Sequence, residues 1–239
     1  MIPERNAFGQ PIGSALDKWT QRPLPPGTPM VGRYCSIERL DAKRHAADLY
    51  AAYSETPDGR DWTYSPAGPF SRLAQYDDYL RKESVKSDPL HHAIIDSHSG
   101  KPVGTAALMR IDPVNGVIEI GHIVYSSRLK RTRSGTEAMY LFMRRVFDEL
   151  GYRRYEWKCD SLNAPSRRAA ERYGFRYEGI FRQAVVYKGR NRDTAWFSIT
   201  DGEWPALRAA FEAWLAPENF GEDGMQRQAL SAMQPGTGQ

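Results

Sequence analysis

Cysteine occurs only twice in the 239 residues, as Cys35 and Cys159, far apart in the chain. That excludes a disulfide framework or a cysteine-built zinc cluster, and it fits a reducing compartment. Long apolar runs are also missing. Val103 to Met109 is one of the longest, far short of the roughly 20 residues a helix needs to cross a bilayer. Met1 to Gln10 lacks the basic-then-apolar order of an export signal. A soluble, cytoplasmic protein with no membrane partner is expected. Charge of one sign does not dominate either. Lysine plus arginine number 33 against 29 acidic residues, a formal net charge of +4, which alone indicates no nucleic-acid partner. No internal repeat, low-complexity tract or sharp change of composition marks a second domain.

What is present suffices for a core. Apolar residues make up 41% of the chain and charged residues 26%, an ordinary globular balance. Six of the sixteen prolines lie in the first thirty residues, so residues 1–30 read as an extended arm over the domain. Residues 31–220 read as one domain. Residues 221–239, rich in Gly, Gln, Ser and Pro, read as a flexible tail.

Period and punctuation predict the elements. Arg33 to Leu40 is a strand, and Asp41 caps a helix running to Ser54. Pro57 to Phe70 is a loop, and Ser71 to Ser84 a helix. His91 to Asp96, Val103 to Ile111 and Val117 to Tyr125 are three strands of an antiparallel meander, separated by turn-forming residues. From Thr136 the apolar residues Met139, Phe142, Met143, Val146 and Leu150 share one helix face, which Gly151 ends. Tyr152 to Cys159 is a strand that the intervening helix allows to lie parallel to Val117–Tyr125. Pro165 opens a short helix ending at Gly174. Phe175 to Gln183 and Thr194 to Asp201 are closing strands, and Trp204 to Leu215 a last helix.

The most informative stretch joins a strand to a helix. Arg128, Lys130, Arg131 and Arg133 crowd the turn before Ser134-Gly135-Thr136-Glu137. A helix start offers unpaired N–H groups and the positive end of a dipole, so a diphosphate fits there. A solvated basic turn that binds nothing explains the cluster alone equally well.

Several pieces, in one order and at one spacing, carry a resemblance. They are Ile118-Glu119-Ile120-Gly121-His122-Ile123, Thr136-Glu137-Ala138, Asn163-Ala164-Pro165-Ser166, Ala169-Ala170-Glu171-Arg172-Tyr173-Gly174-Phe175 and Glu178-Gly179-Ile180-Phe181-Arg182. The chain resembles the Gcn5-related N-acetyltransferases, and among them the ribosomal-protein alanine and serine acetyltransferases, over about residues 31–201. The resemblance implies an α/β fold: a mixed, mostly antiparallel sheet of six to seven strands flanked by helices, with one splayed parallel pair.

It also implies acetyl-CoA as cosubstrate, its pyrophosphate at Lys130, Arg131, Thr132, Arg133, Ser134, Gly135 and Thr136. The pantetheine would follow Ile123, Val124 and Tyr125. The family loop reads Q/R-x-x-G-x-G/A, and its middle glycine is Arg133 here. A side chain there changes how closely the backbone can approach phosphate, and adds a cation.

Acetyl transfer to an amine needs a neutral amine, close approach to the thioester, a donor to the oxyanion and a proton for the thiolate. Val124 or Ile123 would offer the donating backbone N–H where the strands part. Glu119 is the candidate base or amine orienter; an ordinary structural glutamate is the plainer reading. Strand alternation sets His122 on the opposite face from Glu119 unless a bulge intervenes, so a packed histidine is expected. Ser166 would contact the CoA sulfur, because the tyrosine common seven residues after the asparagine is Ala170. Asn163 would hold the pantetheine amide or cap the short helix. The aromatic loop Asp61-Trp62-Thr63-Tyr64, with Phe70 and Tyr76, either lines the acceptor pocket or anchors the loop. Lys188 to Asp193 reads as the turn between the closing strands. His91-His92 has no third ligand at metal spacing, so no metal is expected.

The leading reading is an acetyl-CoA-dependent N-acetyltransferase using direct transfer to a primary amine, on a small molecule or a protein N-terminus. A catalytically lapsed CoA-binding regulatory or scaffold domain is the alternative. RNA contact through Arg128–Arg133 ranks last, since no RNA-binding motif accompanies it. A homodimer stays open.

Overall fold

The computed structural model describes residues 3–235. The arm carries a small hairpin of β1 (Glu4–Arg5) and β2 (Pro11–Ile12). Eight strands form the main sheet: β3 (Met30–Val31), β4 (Cys35–Arg39), β5 (Leu90–Asp96), β6 (Pro102–Asp112), β7 (Val117–Tyr125), β8 (Arg154–Asp160), β9 (Arg176–Tyr187) and β10 (Arg190–Thr200). Their order is β3-β4-β5-β6-β7-β8-β10-β9. β7 and β8 are parallel and every other neighbouring pair is antiparallel. The expected mixed sheet is there, with eight strands instead of six or seven, because the two-residue β3 extends its edge.

Helices cover both faces. The helices are α1 (Ala42–Ser54), α2 (Leu73–Ser84), α3 (Arg133–Arg144), α4 (Ala164–Arg172), α5 (Trp204–Leu215) and α6 (Leu230–Met233). The Asp41 side chain accepts from the backbone N–H groups of Lys43 and Arg44 and so starts α1. α3 begins three residues before the expected Thr136, because the Thr132 hydroxyl caps it by accepting from Gly135 N–H. Met139, Phe142, Met143 and Val146 pack from α3 and the turn after it onto Ile94, Leu108, Ile118 and Ile120, with Phe211 and Trp214 of α5 beside them. On the opposite face Leu49 and Tyr53 of α1 and Tyr76 and Leu80 of α2 form a second core against Ala93. The even and odd positions of the central strands therefore serve two different cores.

Two expectations at the C-terminal side need correction. Lys188 to Asp193 is not all turn. Lys188 and Gly189 both have left-handed φ, +49° and +69°, which makes a two-residue turn, and Arg190 to Asp193 already belong to β10. Nor is the chain after Phe220 loose over its described part. Gln226 pairs with Phe220 and accepts from the Trp214 indole, Asn219 binds the backbone of Gln228, and Leu230 is buried in the main core. The reason is a buried anchor in a polar stretch, which composition hides. The last four positions lie outside the described residues. At the other end Trp19 donates to the Val114 carbonyl and Arg22 N–H to that of Pro113, so the arm rests on the β6–β7 turn.

Candidate active site

The site begins where the sheet divides. Parallel pairing between β7 and β8 runs from Val117↔Arg154 to Ile120↔Trp157 and stops. β7 continues through Gly121 to Tyr125 on β6, while β8 continues through Lys158 to Asp160 on β10. A wedge opens between them, bordered on the β7 side by Ile123, Val124 and Tyr125. Ile123 and Tyr125 lean toward the α3 core, Val124 toward the α1–α2 core. The Val124 carbonyl accepts from Tyr53 Oη at 3.0 Å, a clamp from α1 that the sequence did not single out.

Beyond Tyr125 the chain turns into α3. Leu129 is fully buried and pins the turn. Gly135 has to be small: a Cβ there would lie 2.6 Å from the Leu129 carbonyl oxygen and 3.3 Å from the Tyr125 ring. Tyr125 Oη donates to the Gly135 carbonyl at 3.1 Å, which joins the strand end to the helix start. Among the described residues the N–H groups of Arg131, Arg133 and Ser134 have no protein acceptor, while the Gly135 and Thr136 N–H groups are taken by Thr132. Three free donors at the positive end of a buried helix suit a phosphate.

The cations of this turn are not equivalent. Arg128 is paired with Glu55, and Lys130 lies 2.5 Å from Asp61. Arg131 is exposed and holds a left-handed φ of +60°. Arg133 is the first helical residue, where helical φ accommodates any side chain. The departure from the family glycine thus carries no backbone strain. Its guanidinium stacks 3.6 Å from the Phe220 ring centre and donates to Tyr34 Oη, so it is engaged on the C-terminal segment.

Ser134 and Thr136 face inward. Ser134 Oγ donates to the Tyr34 carbonyl, and Thr136 Oγ1 to that of Thr132. Beside them the Glu137 carboxylate accepts from the N–H groups of Arg33, Tyr34 and Cys35, fixing α3 against β4.

On the α1–α2 face Glu119 is buried. Its carboxylate lies 2.9 Å from Lys158 Nζ and 3.4 Å from Arg110 Nε, and Lys158 also reaches Glu156 at 2.6 Å. Burial raises the Glu119 carboxyl above its ordinary range, against the pull of those two cations. Lys158 escaped the sequence reading, although Glu156-x-Lys158 on a strand in parallel register with Glu119 puts all three on one face. His122 needs a correction too. Thr105 pairs with Val124 but Ala107 with Gly121, so His122 and Ile123 stand opposite Ala106 alone. This bulge, with His122 at φ +47°, reverses the alternation and turns its ring to the α1–α2 face, 4.9 Å from the ring of His91.

On the α4 side, Asn163 caps the helix by accepting from Ser166 N–H at 3.2 Å. Ser166 Oγ accepts from Trp157 Nε1 at 3.0 Å and lies beside Cys159, whose thiol is held above its usual range by burial with Ser166 opposing. Ala170 is fully buried. The aromatic loop is anchored. Trp62, Phe70, Tyr76 and Tyr53 stack edge to face, and Tyr64 Oη donates to the Leu162 carbonyl and Lys188 Nζ to that of Trp62. Among the described residues no group of three or more His, Cys, Asp or Glu is arranged to hold a metal ion, and no helix is long and apolar enough to cross a membrane.

A family model for the acetyltransferase (GNAT) domain matches residues 37–176, well over half of the chain. The chain belongs to the GNAT acetyltransferases. A GCN5-related N-acetyltransferase from Brucella melitensis is 53% identical, with a TM-score of 0.90 over 91% of this chain and 99% of that one. A probable GNAT-family acetyltransferase from Chromobacterium violaceum is 40% identical, with a TM-score of 0.76 over 82% and 98%. A microcin C7 self-immunity acetyltransferase, solved with acetyl-CoA and AMP, shares the fold at 18% identity and a TM-score of 0.59, over 71% and 93%. In this GNAT protein the wedge, the free N–H groups at α3 and the Glu119 cluster all border one strand, β7.

Proposed function

We propose that this protein is an acetyl-CoA-dependent N-acetyltransferase that moves the acetyl group directly to a primary amine while both substrates are bound. The observation that carries this reading is the early end of the β7–β8 pairing, which leaves an open strand edge leading straight to three free N–H groups at the start of α3. An extended amide chain can pair with that edge, and its diphosphate can take the donors. Acetyl-CoA has this shape, and the relative solved with acetyl-CoA has the same fold.

Roles follow from position. Arg131, Arg133 and Ser134 N–H groups receive the pyrophosphate, with Lys130, Thr132, Gly135 and Thr136 shaping the turn. Ile123 and Tyr125 flank the pantetheine, and a backbone N–H at Val124 polarises the thioester carbonyl. Glu119 attracts and orients the acceptor ammonium in place of Lys158. The Ser166 hydroxyl, held by the Trp157 indole and the Asn163 cap, hydrogen-bonds the sulfur as the C–S bond breaks. The acceptor is a primary amine of a small molecule or a protein N-terminus.

The test is a panel of amines with acetyl-CoA: spermidine, an aminosugar, and short peptides beginning with alanine or serine, followed by release of free thiol and the mass of the product. A gain of one acetyl group on any member supports the reading. Tight acetyl-CoA binding without transfer to any amine would instead make the protein a CoA-binding scaffold.

A further inference from the structure

A buried line of polar groups runs across the sheet to the point where the strands part. Glu83 of α2 lies 3.1 Å from His91 Nε2, and His91 stacks edge to face on His122. His91 pairs with Ala107 and Ala107 with Gly121, so the row between the two histidines is made of the two smallest residues. The His122 ring can cross the methyl group of Ala107 to reach His91. Glu83 and His91 are buried, whereas His122 is half-exposed. It is the second residue past the last β7–β8 pair, and Glu119 Oε1 approaches to 3.5 Å of where a Gly121 Cβ would stand.

The backbone conformation of His122 is costly. A left-handed φ at a residue with a side chain is uncommon and clusters at functional sites. Had packing alone been at stake, an unbulged strand would put His122 toward the α3 core. The bulge instead brings an imidazole to the face that bears Glu119. Glu119 already faces Lys158 and Arg110, so its charge is matched, while among the described residues the His122 imidazole forms no ion pair and feels Glu83 and Lys86 only at a distance.

We infer that His122 takes the proton from the acceptor's ammonium, and that His91 and Glu83 are positioning residues behind it. The inference rests on the acetyltransferase reading for its substrate. The ammonium gives one proton to the imidazole. The freed nitrogen lone pair forms the bond to the acetyl carbon, the C–S bond breaks with its electron pair leaving on sulfur, and the second proton on nitrogen passes to that sulfur. His122 then returns its proton to solvent. Net, an amide, a thiol and one released proton result.

Burial holds both imidazoles below the ordinary histidine range, His91 at about 4, so both are neutral and able to accept near pH 7. The groups acting on His122 are Glu83 on α2, Lys86 just after it and, through the ring contact, His91 on β5; Glu119 lies on the same face of its own strand, held by Lys158 of β8 and Arg110 of β6. Glu83 favours the imidazolium and Lys86 opposes it.

The experiment combines the pH profile of kcat/KM, with the panel amine that turns over fastest, and NMR titration of the histidine ring protons in the full chain with CoA bound. The wild type should show an acidic limb below pH 6.5. His122→Gln should lose that limb and fall by roughly 10²–10⁴-fold, with acetyl-CoA affinity kept. Glu83→Gln should move both the limb and the His122 titration to lower pH without weakening acetyl-CoA, a shift that a purely structural role would not produce. An unmoved limb in Glu83→Gln, or a His122→Gln enzyme within threefold of wild type with its limb intact, overturns the inference. If His122→Gln does not fold, Glu83→Gln and the titration decide. If no amine is acetylated by the wild type, the acetyltransferase reading fails first, and a His122 titration indifferent to Glu83→Gln removes the positioning role of Glu83 as well.

Discussion

Lys130 Nζ lies 2.5 Å from the carboxylate of Asp61, so the turn that begins α3 is tied to the aromatic loop around Trp62. The same loop is held to the β8–α4 connection by Tyr64 and to the β9–β10 turn by Lys188. Three segments around the wedge thus meet on one loop. A phosphate arriving at the α3 turn competes with Asp61 for Lys130.

Asp61→Asn should therefore tighten CoA binding. A partly exposed ion pair is worth at most about 1 kcal/mol, so the gain is up to about fivefold. Calorimetry at low and high salt measures it, and the gain should shrink as salt screens the phosphate. Weaker binding in the variant would mean that the anchored loop matters more than the freed ammonium.

Arg131 and Arg133 should differ. Arg131→Glu places an anion beside the free N–H groups and should weaken CoA by about 1–2 kcal/mol. Arg133→Glu loses the stack on Phe220 and its bond to Tyr34, so its main effect should be a lower melting temperature. Equal losses of CoA affinity from the two variants would show that Arg133 leaves Phe220 when CoA binds.

Glu119→Gln should lower turnover by about 10- to 100-fold, the cost of a poorly held acceptor, while keeping the acidic limb. Lys158 stays paired with Glu156 in that variant, so the fold should survive. Ser166→Ala should cost less in rate, because water can replace a hydroxyl beside the sulfur. It leaves the Trp157 indole N–H without its acceptor and should destabilise by about 1–2 kcal/mol in urea. A lost acidic limb in Glu119→Gln would make Glu119 the proton acceptor instead of an orienter.

Acid should destabilise the fold through His92. This side chain is buried beside Phe142, and burial pushes its imidazole down to about 3. The unfolded chain binds a proton near pH 6.5 and the native state does not. The stabilising contribution is complete above 6.5 and declines as pH falls toward 3, reaching a loss of about 3 kcal/mol at pH 4.5. Urea titrations at pH 7 and pH 4.5 read the loss, and His92→Gln should reduce the pH slope by up to one proton.

The order of elements and the parallel pair were legible because turn residues bound each segment and a helix-period face separates β7 from β8. Asn163 could be read as the cap of its helix for the same reason, whereas Thr132, which caps α3, could not, because Ser134-Gly135-Thr136-Glu137 offers a competing start signal. The bulge at His122 was not legible. One extra residue inverts the parity of a strand, and nothing in Ile120-Gly121-His122-Ile123 announces it. Lys158, His91 and Tyr53 join the site only through cross-strand register and helix packing, which one sequence does not display. The anchored C-terminal segment was missed because its order rests on single contacts such as Leu230 and Asn219 amid polar residues.

The short β7–β8 pairing has a mechanical consequence. Five strands, β3 to β7, form one plate and three, β8 to β10, another, joined edge to edge by four residues on each side. Such a seam is weak in shear, so the α3 core that spans it, from Ile118 and Ile120 to Tyr155 and Trp157, acts as the hinge pin. A small tilt of one plate against the other would change the width of the wedge without breaking either plate. A chain with a full-length β7–β8 ladder would be stiffer and would have no wedge to adjust.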